Sequence, residues 1–204
     1  DSRESDAEPQ HVAIAKVSGS RRLDLDIILP TPRFSSLPVK EILDHNVDRI
    51  KEIVEAHTTT LVFVNTRQMT ETVVQKLKIL GTEGVEGHHG SMDKAIRLDV
   101  EQRLKNGLLR SVVSSSSLEM GIDIGSVDCV IQVGSPGSIA TGLQRIGRAG
   151  HQVDGLPRAR LLPTSPQDLL EMVSLQNGIL RGSMDLLKFP QNSLDVLAQF
   201  LIGL

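Results

Sequence analysis

The sequence predicts an α/β fold built on a mostly parallel sheet, and three observations predict it. Strand-like aliphatic runs alternate with segments whose apolar residues recur at helical spacing, the rhythm of strand–helix–strand units with right-handed crossovers. Leu, Ile, Val and Phe make up about a third of the 204 residues, well above the ~20% floor expected of a disordered chain. Aromatic residues are nearly absent, with four Phe and no Trp or Tyr. The core is therefore aliphatic, which suits strands buried on both faces.

Taken in order, the first ten residues are polar and have the character of a linker. HVAIAKV (11–17) and RLDLDIILP (22–30) follow as strands. In the second, Leu23, Leu25 and Ile27 alternate with Asp24 and Asp26, so one face is buried and the other wet. After the turn-rich PTPRFSSLP, Leu43, Val47, Ile50 and Val54 give an amphipathic helix between Lys40 and His57. TLVFV (60–64) is the next strand, and Met69, Val73, Leu77 and Leu80 mark the helix behind it. A short strand surrounds Val85. Ser91 has the character of an N-cap, with Asp93 in the first turn ahead of Ile96, Val100 and Leu104. LRSVVS (109–114) and VDCVIQV (127–133) are strands, and Ser138 opens a helix to about Ile146. RARLLP (158–163) is a further strand. Ser165, Pro166 and Asp168 then supply a cap, a first-turn proline and a first-turn acid. Asn192-Ser193 caps a last helix with Leu194, Leu197, Leu201 and Leu204 on one face.

Charge and composition narrow the function. The formal net charge is −3, so contact with phosphate must come from local placement rather than a global field. The single Cys129 excludes an internal disulfide or a cysteine zinc site and fits a reducing compartment such as the cytoplasm. No apolar run reaches the ~18 residues of a membrane span. His88 and His89 are adjacent, so on an extended segment they face opposite ways and do not share a metal ion. No glycine is followed by lysine, which leaves the chain without a P-loop of its own. No H-E-x-x-H and no G-x-S-x-G occurs.

One window stands apart. No Asp or Glu lies between Asp128 and Asp154, yet Arg145, Arg148 and His151 do. Gln144 and Arg148 are four apart and share a face if the helix runs that far. Fixed cations without local acids form a clamp for a phosphoryl group. Arginines that merely solvate a helix face are the simpler alternative on composition alone.

Four segments in order carry a resemblance. LVFVNTR (61–67), HHGSMDKAIR (88–97), SSSSLEMGIDIG (114–125) and QRIGRAGH (144–151) resemble motifs IV, IVa, V and VI of the second RecA-like domain of superfamily 2 helicases. Their wording is closest to the large helicase-related (Lhr) family of DNA helicases. The resemblance implies a RecA-like three-layer domain over 21–182, preceded by a linker and N-terminal strand over 1–20. PQNSLDVLAQFL (190–201) resembles the entry to that family's winged-helix domain, so 183–204 would begin a truncated one.

The resemblance also implies roles. ATP and Mg2+ would be held mainly by a missing first RecA-like domain, which carries the P-loop and the acids. Arg148 matches the arginine finger at the γ-phosphate, Gln144 the residue near the attacking water, and Arg145 its charged neighbour at the interdomain surface. Gly121 and Asp123 match nucleotide-binding positions of motif V. His151 stands where many relatives carry another Arg, which implies a weaker second finger. Thr66, Arg67, His89, Gly90, Ser115 and Ser116 match positions holding the backbone of single-stranded or partly duplex DNA, or an RNA–DNA hybrid. Such contacts place a strand without reading its sequence. The partners implied are that strand and the flanking domains of the same chain, and no membrane. An RNA-remodelling domain, or a non-catalytic nucleic-acid-binding module on the same fold, stands as the alternative.

Overall fold

The computed structural model describes residues 23–119, 124–149, 156–185 and 194–203. Its centre is a six-stranded sheet in the order β1-β6-β5-β2-β4-β3, with every pairing parallel. The strands are β1 (Asp24–Ile27), β2 (Thr60–Phe63), β3 (Val85–His88), β4 (Ser111–Ser114), β5 (Cys129–Val133) and β6 (Arg158–Leu162). The helices are α1 (Val39–Ala56), α2 (Arg67–Ile79), α3 (Lys94–Lys105), α4 (Ile139–Ile146), α5 (Pro166–Leu180) and α6 (Leu194–Ile202). The expected parallel sheet is present, and each strand except β3, expected only as a short one around Val85, is shorter than the run that predicts it.

The layering follows from the two-residue period of a strand. Val62 and Val64 turn to one side, where they meet Val47, Ile50 and Val54 of α1 and Val73 and Leu77 of α2. Leu61 and Phe63 turn to the other, against Val100 and Leu104 of α3, Ile146 of α4 and Met172 and Leu175 of α5. Central strands β2, β4 and β5 are buried at every position. In β1 the predicted alternation holds at its centre, where Leu25 is buried and Asp26 exposed, while Leu23, Asp24 and Ile27 are all half-buried. Asp24 pairs instead with Arg160 at 2.9 Å, which holds its carboxyl below the usual range. The Cys129 thiol is buried and pushed up to about 11, so it is inert.

Ser138 and Ser165 cap α4 and α5 as expected, accepting from the amides of Thr141 and Asp168. The start of α3 is a correction. Its cap is Asp93, whose carboxylate takes the Ala95 amide at 2.7 Å. The Ser91 hydroxyl instead accepts from Arg67 at 3.0 Å. A carboxylate also suits the positive end of a helix better than a hydroxyl does. Close packing explains two glycines of the phosphate-clamp window. A Cβ on Gly142 would lie 3.0 Å from Leu175, and one on Gly147 would lie 2.9 Å from the Leu143 carbonyl. The expected strand over 11–17 and the cap at Asn192-Ser193 lie outside the described residues.

Candidate functional site

Because every strand runs the same way, all six carboxyl ends share one edge, where open α/β sheets bind their ligands. The loop after each strand therefore delivers its residues to one surface.

After β2, Thr66 is in extended geometry and caps α2, its hydroxyl accepting the Met69 amide at 3.1 Å. Arg67 opens that helix, is exposed, and reaches across to Ser91 beyond β3. Gly90 is exposed, and a Cβ there would meet nothing within 4 Å. The His89 ring is only 8% exposed and lies 3.2 Å from Glu71 of α2. Of the pair expected to touch a strand, His89 has its amide on Met92 Sδ at 3.4 Å and its carbonyl on the Met92 amide at 3.1 Å, and Gly90 offers the open space. Ser115 is half-buried and Ser116 exposed after β4.

Beneath these loops His88, 1% exposed, joins three elements. Its Nδ1 lies 2.6 Å from Ser117 Oγ, and its Nε2 lies 2.9 Å from Glu101 of α3. Burial pushes the imidazole below its ordinary range, against the pull of Glu101. Ser117 Oγ also donates to the His88 carbonyl at 3.1 Å, so the ring and the main chain of His88 hold the same hydroxyl. The two histidines do face opposite ways, and His88 fastens the β3 exit to the β4 exit.

The arginine window behaves differently from its sequence reading at Arg148 and at Arg145. Gln144 is exposed on the last turn of α4. The helix stops at Ile146, so Arg148 sits in the following turn, where its amide bonds to the Arg145 carbonyl at 3.0 Å. The Arg148 guanidinium is half-buried, its Nε and Nη2 lying 3.2 and 2.6 Å from the Glu119 carbonyl. Arg145, expected at an interdomain surface, is buried instead. Its Nε donates to the Glu119 carboxylate at 2.8 Å, and Nη2 donates to the same oxygen. Its Nη1 reaches Gln132 Oε1 at 2.8 Å, and the guanidinium lies 5.3 Å from the Phe63 ring centroid. Three residues, Glu119, Gln132 and Phe63, thus enclose this cation.

Sequence reasoning missed three residues here: Glu119, Gln132 and Asp168. Asp168, read as a first-turn acid, also accepts from the Ser135 amide at 3.3 Å and the Thr164 amide at 3.1 Å. It thereby binds the β5 exit to the β6 exit. Gly134 permits this turn with φ of +73°, and a Cβ there would lie 3.0 Å from Asn65. Asn65 in turn donates to the Ser135 carbonyl at 2.9 Å. Gly121, Asp123 and His151 lie outside the described residues. Among the described residues, no group of three His, Cys, Asp or Glu side chains is placed to hold a metal ion, and no helix is long and apolar enough to cross a membrane.

This edge brings a guanidinium, exposed amides and hydroxyls onto one surface, the donor set that suits phosphates. Residues 45–152 match the family model described as the helicase conserved C-terminal domain. Over 191 residues the chain is 44% identical to the ATP-dependent helicase Lhr-Core of Methanocaldococcus jannaschii, covering 94% of this chain and 23% of that protein. The structure of Mycobacterium smegmatis helicase Lhr bound to ssDNA and AMP-PNP matches with a TM-score of 0.83 and 40% identity, over 90% of this chain and 25% of that one. S. cerevisiae Dbp5 bound to RNA and ADP BeF3 has a TM-score of 0.65 at 18% identity, over 92% and 46%, a likeness of fold alone. The fold is thus the RecA-like one of superfamily 2 helicases, and the chain spans roughly a quarter of the length of its Lhr relatives.

Proposed function

The chain belongs to the helicase conserved C-terminal domain family, and from that premise we propose that it is the second RecA-like motor domain of an ATP-dependent DNA helicase of the Lhr type, moving 3′ to 5′. The observation that carries this reading is that Arg148 rests on Glu119 in the turn after β4, on the sheet edge that also bears the exposed Arg67, Gly90 and Ser116. A nucleotide contact and a strand contact then move together whenever the domain moves.

In this reading the nucleotide lies between this domain and a first RecA-like domain. The residues present fit half of such a pocket. Arg148 supplies a planar, permanently charged group suited to phosphate oxygens, and Gln144 supplies an uncharged donor and acceptor beside it. Gly121 and Asp123 of motif V would approach the ribose. The donors for Mg2+ would come mainly from the first domain. Bound ATP and its metal would bring the anhydride to be cleaved and neutralise part of its charge. Arg148 stabilises the charge that develops as the bond to the leaving phosphate breaks, a role worth ~10³–10⁵ in rate in related systems. His151 would stand where a second finger is weakened.

Thr66, Arg67, His89-Gly90 and Ser115-Ser116 hold the sugar-phosphate backbone of a single strand. Closing and reopening of the cleft moves that grip along the strand. The exposed Leu194, Leu197, Phe200, Leu201 and Ile202 of α6 suit the first element of a following winged-helix domain. The buried thiol of Cys129 suits a reducing compartment such as the cytoplasm.

The test is ATP turnover by the chain alone, with magnesium and single-stranded DNA. The split pocket predicts none. Turnover near that of the full-length protein would contradict it.

A further inference from the structure

Glu119 grips both arginines of the QRIGR segment, one with each end of the residue. Its carboxylate, 16% exposed, receives Nε and Nη2 of Arg145, whose own side chain is 7% exposed. Its main-chain carbonyl receives Nε and Nη2 of Arg148. Behind Arg145 the chain of contacts continues inward. Gln132 accepts from Arg145 and donates from Nε2 to the Gly134 carbonyl at 2.8 Å, and Gln132 is 2% exposed. Phe63 of β2 lies under the same guanidinium. Glu119 itself sits in a turn after β4, its amide donating to the Ser116 carbonyl at 3.1 Å.

A turn residue free to rotate about its own backbone would carry its carbonyl, and Arg148 with it, through several positions. The buried ion pair with Arg145 removes that freedom by tying the turn to the sheet. We infer that Glu119 is a positioning residue for ATP hydrolysis, which fixes the peptide on which Arg148 rests through its clamp on buried Arg145. This rests on the reading of Arg148 as the finger. Glu119 acts through Arg148, so its effect falls on the transition state that Arg148 stabilises and not on ground-state binding. Misplacing a catalytic group by about 1 Å can lower rate ~10²-fold.

The experiment is a mutant cycle in the full-length protein, reading kcat and KM for ssDNA-stimulated ATP hydrolysis. Glu119→Gln keeps the length and one acceptor but removes the charge. It is expected to lower kcat by roughly 10–100-fold while KM for ATP stays within about threefold. Glu119→Ala is expected to lower it further. Arg148→Lys supplies the second side of the cycle: in that background Glu119→Gln is expected to add little. A variant that merely lowers the folded fraction would lose the same factor in both backgrounds. Equal losses, or full kcat in Glu119→Gln, would overturn the inference. Unchanged kcat in Arg148→Lys and Arg148→Ala would overturn the finger reading itself, whatever Glu119 does.

Discussion

Replacing Arg145 with Met removes a buried cation while keeping an unbranched stem over Phe63. It leaves the Glu119 carboxylate, 16% exposed, without its counter-charge and the Gln132 oxygen without its donor. Breaking a buried pair from one side costs about 3–5 kcal/mol, and an orphaned buried acceptor costs about 1–3 kcal/mol. These two overlap, because both arise from the same missing guanidinium. Water reaching Glu119 offsets part of the total. The expected loss is therefore about 3–5 kcal/mol. At about 2–4 °C per kcal/mol for a chain of this size, the melting temperature falls by roughly 6–20 °C. Urea unfolding and a thermal scan of the chain measure this directly. Adding Glu119→Gln to Arg145→Met should restore part of the loss, since it neutralises the stranded charge. A stability change under ~1 kcal/mol, the level of an exposed pair, with ATPase activity of the full-length protein abolished by the same substitution, would refute the structural role and return Arg145 to the reacting centre.

Two further outcomes follow from the same edge of the sheet. His88 is held neutral in the fold, with its pKa depressed below the unfolded value near 6.5. Its contribution is therefore complete above that value and is lost as pH falls through the folded pKa, because the unfolded chain binds more protons in that window. Stability of the wild-type chain measured from pH 7.5 down to 5 should fall more steeply than that of His88→Asn, and parallel slopes would remove His88 as the cause. Arg67→Ala should weaken ssDNA binding by the full-length protein and reduce the slope of log affinity against log salt by about 0.7, the value for one phosphate contact on a single strand. An unchanged slope would take Arg67 off the strand path.

Much of this fold is legible because periodicity is local. The alternation through Leu61, Val62, Phe63 and Val64 reports two-sided burial, and Val47, Ile50 and Val54 report the face of α1 that meets it. The caps at Ser138 and Ser165 are visible for the same reason: the hydroxyl and the amide it serves are three residues apart. Arg145 shows where local reading stops. The acid-free stretch from 129 to 153 counts neighbours along the chain, whereas the counter-charge arrives from Glu119, 26 positions away. Burial by a distant partner leaves no mark on spacing. His88 is similar, since Glu101 and Ser117 lie 13 and 29 positions off. Ser91 is not the cap because α3 starts at Lys94, which puts Asp93 in the capping position and Ser91 two residues outside it.

The most direct measurement compares Arg148→Ala with the wild-type full-length protein in single-turnover ATP hydrolysis, alongside equilibrium binding of a non-hydrolysable ATP analogue. A finger acting on developing charge predicts a rate lowered by ~10³–10⁵ with analogue affinity within about tenfold. Hydrolysis at the wild-type rate, or a loss confined to analogue affinity, would contradict it.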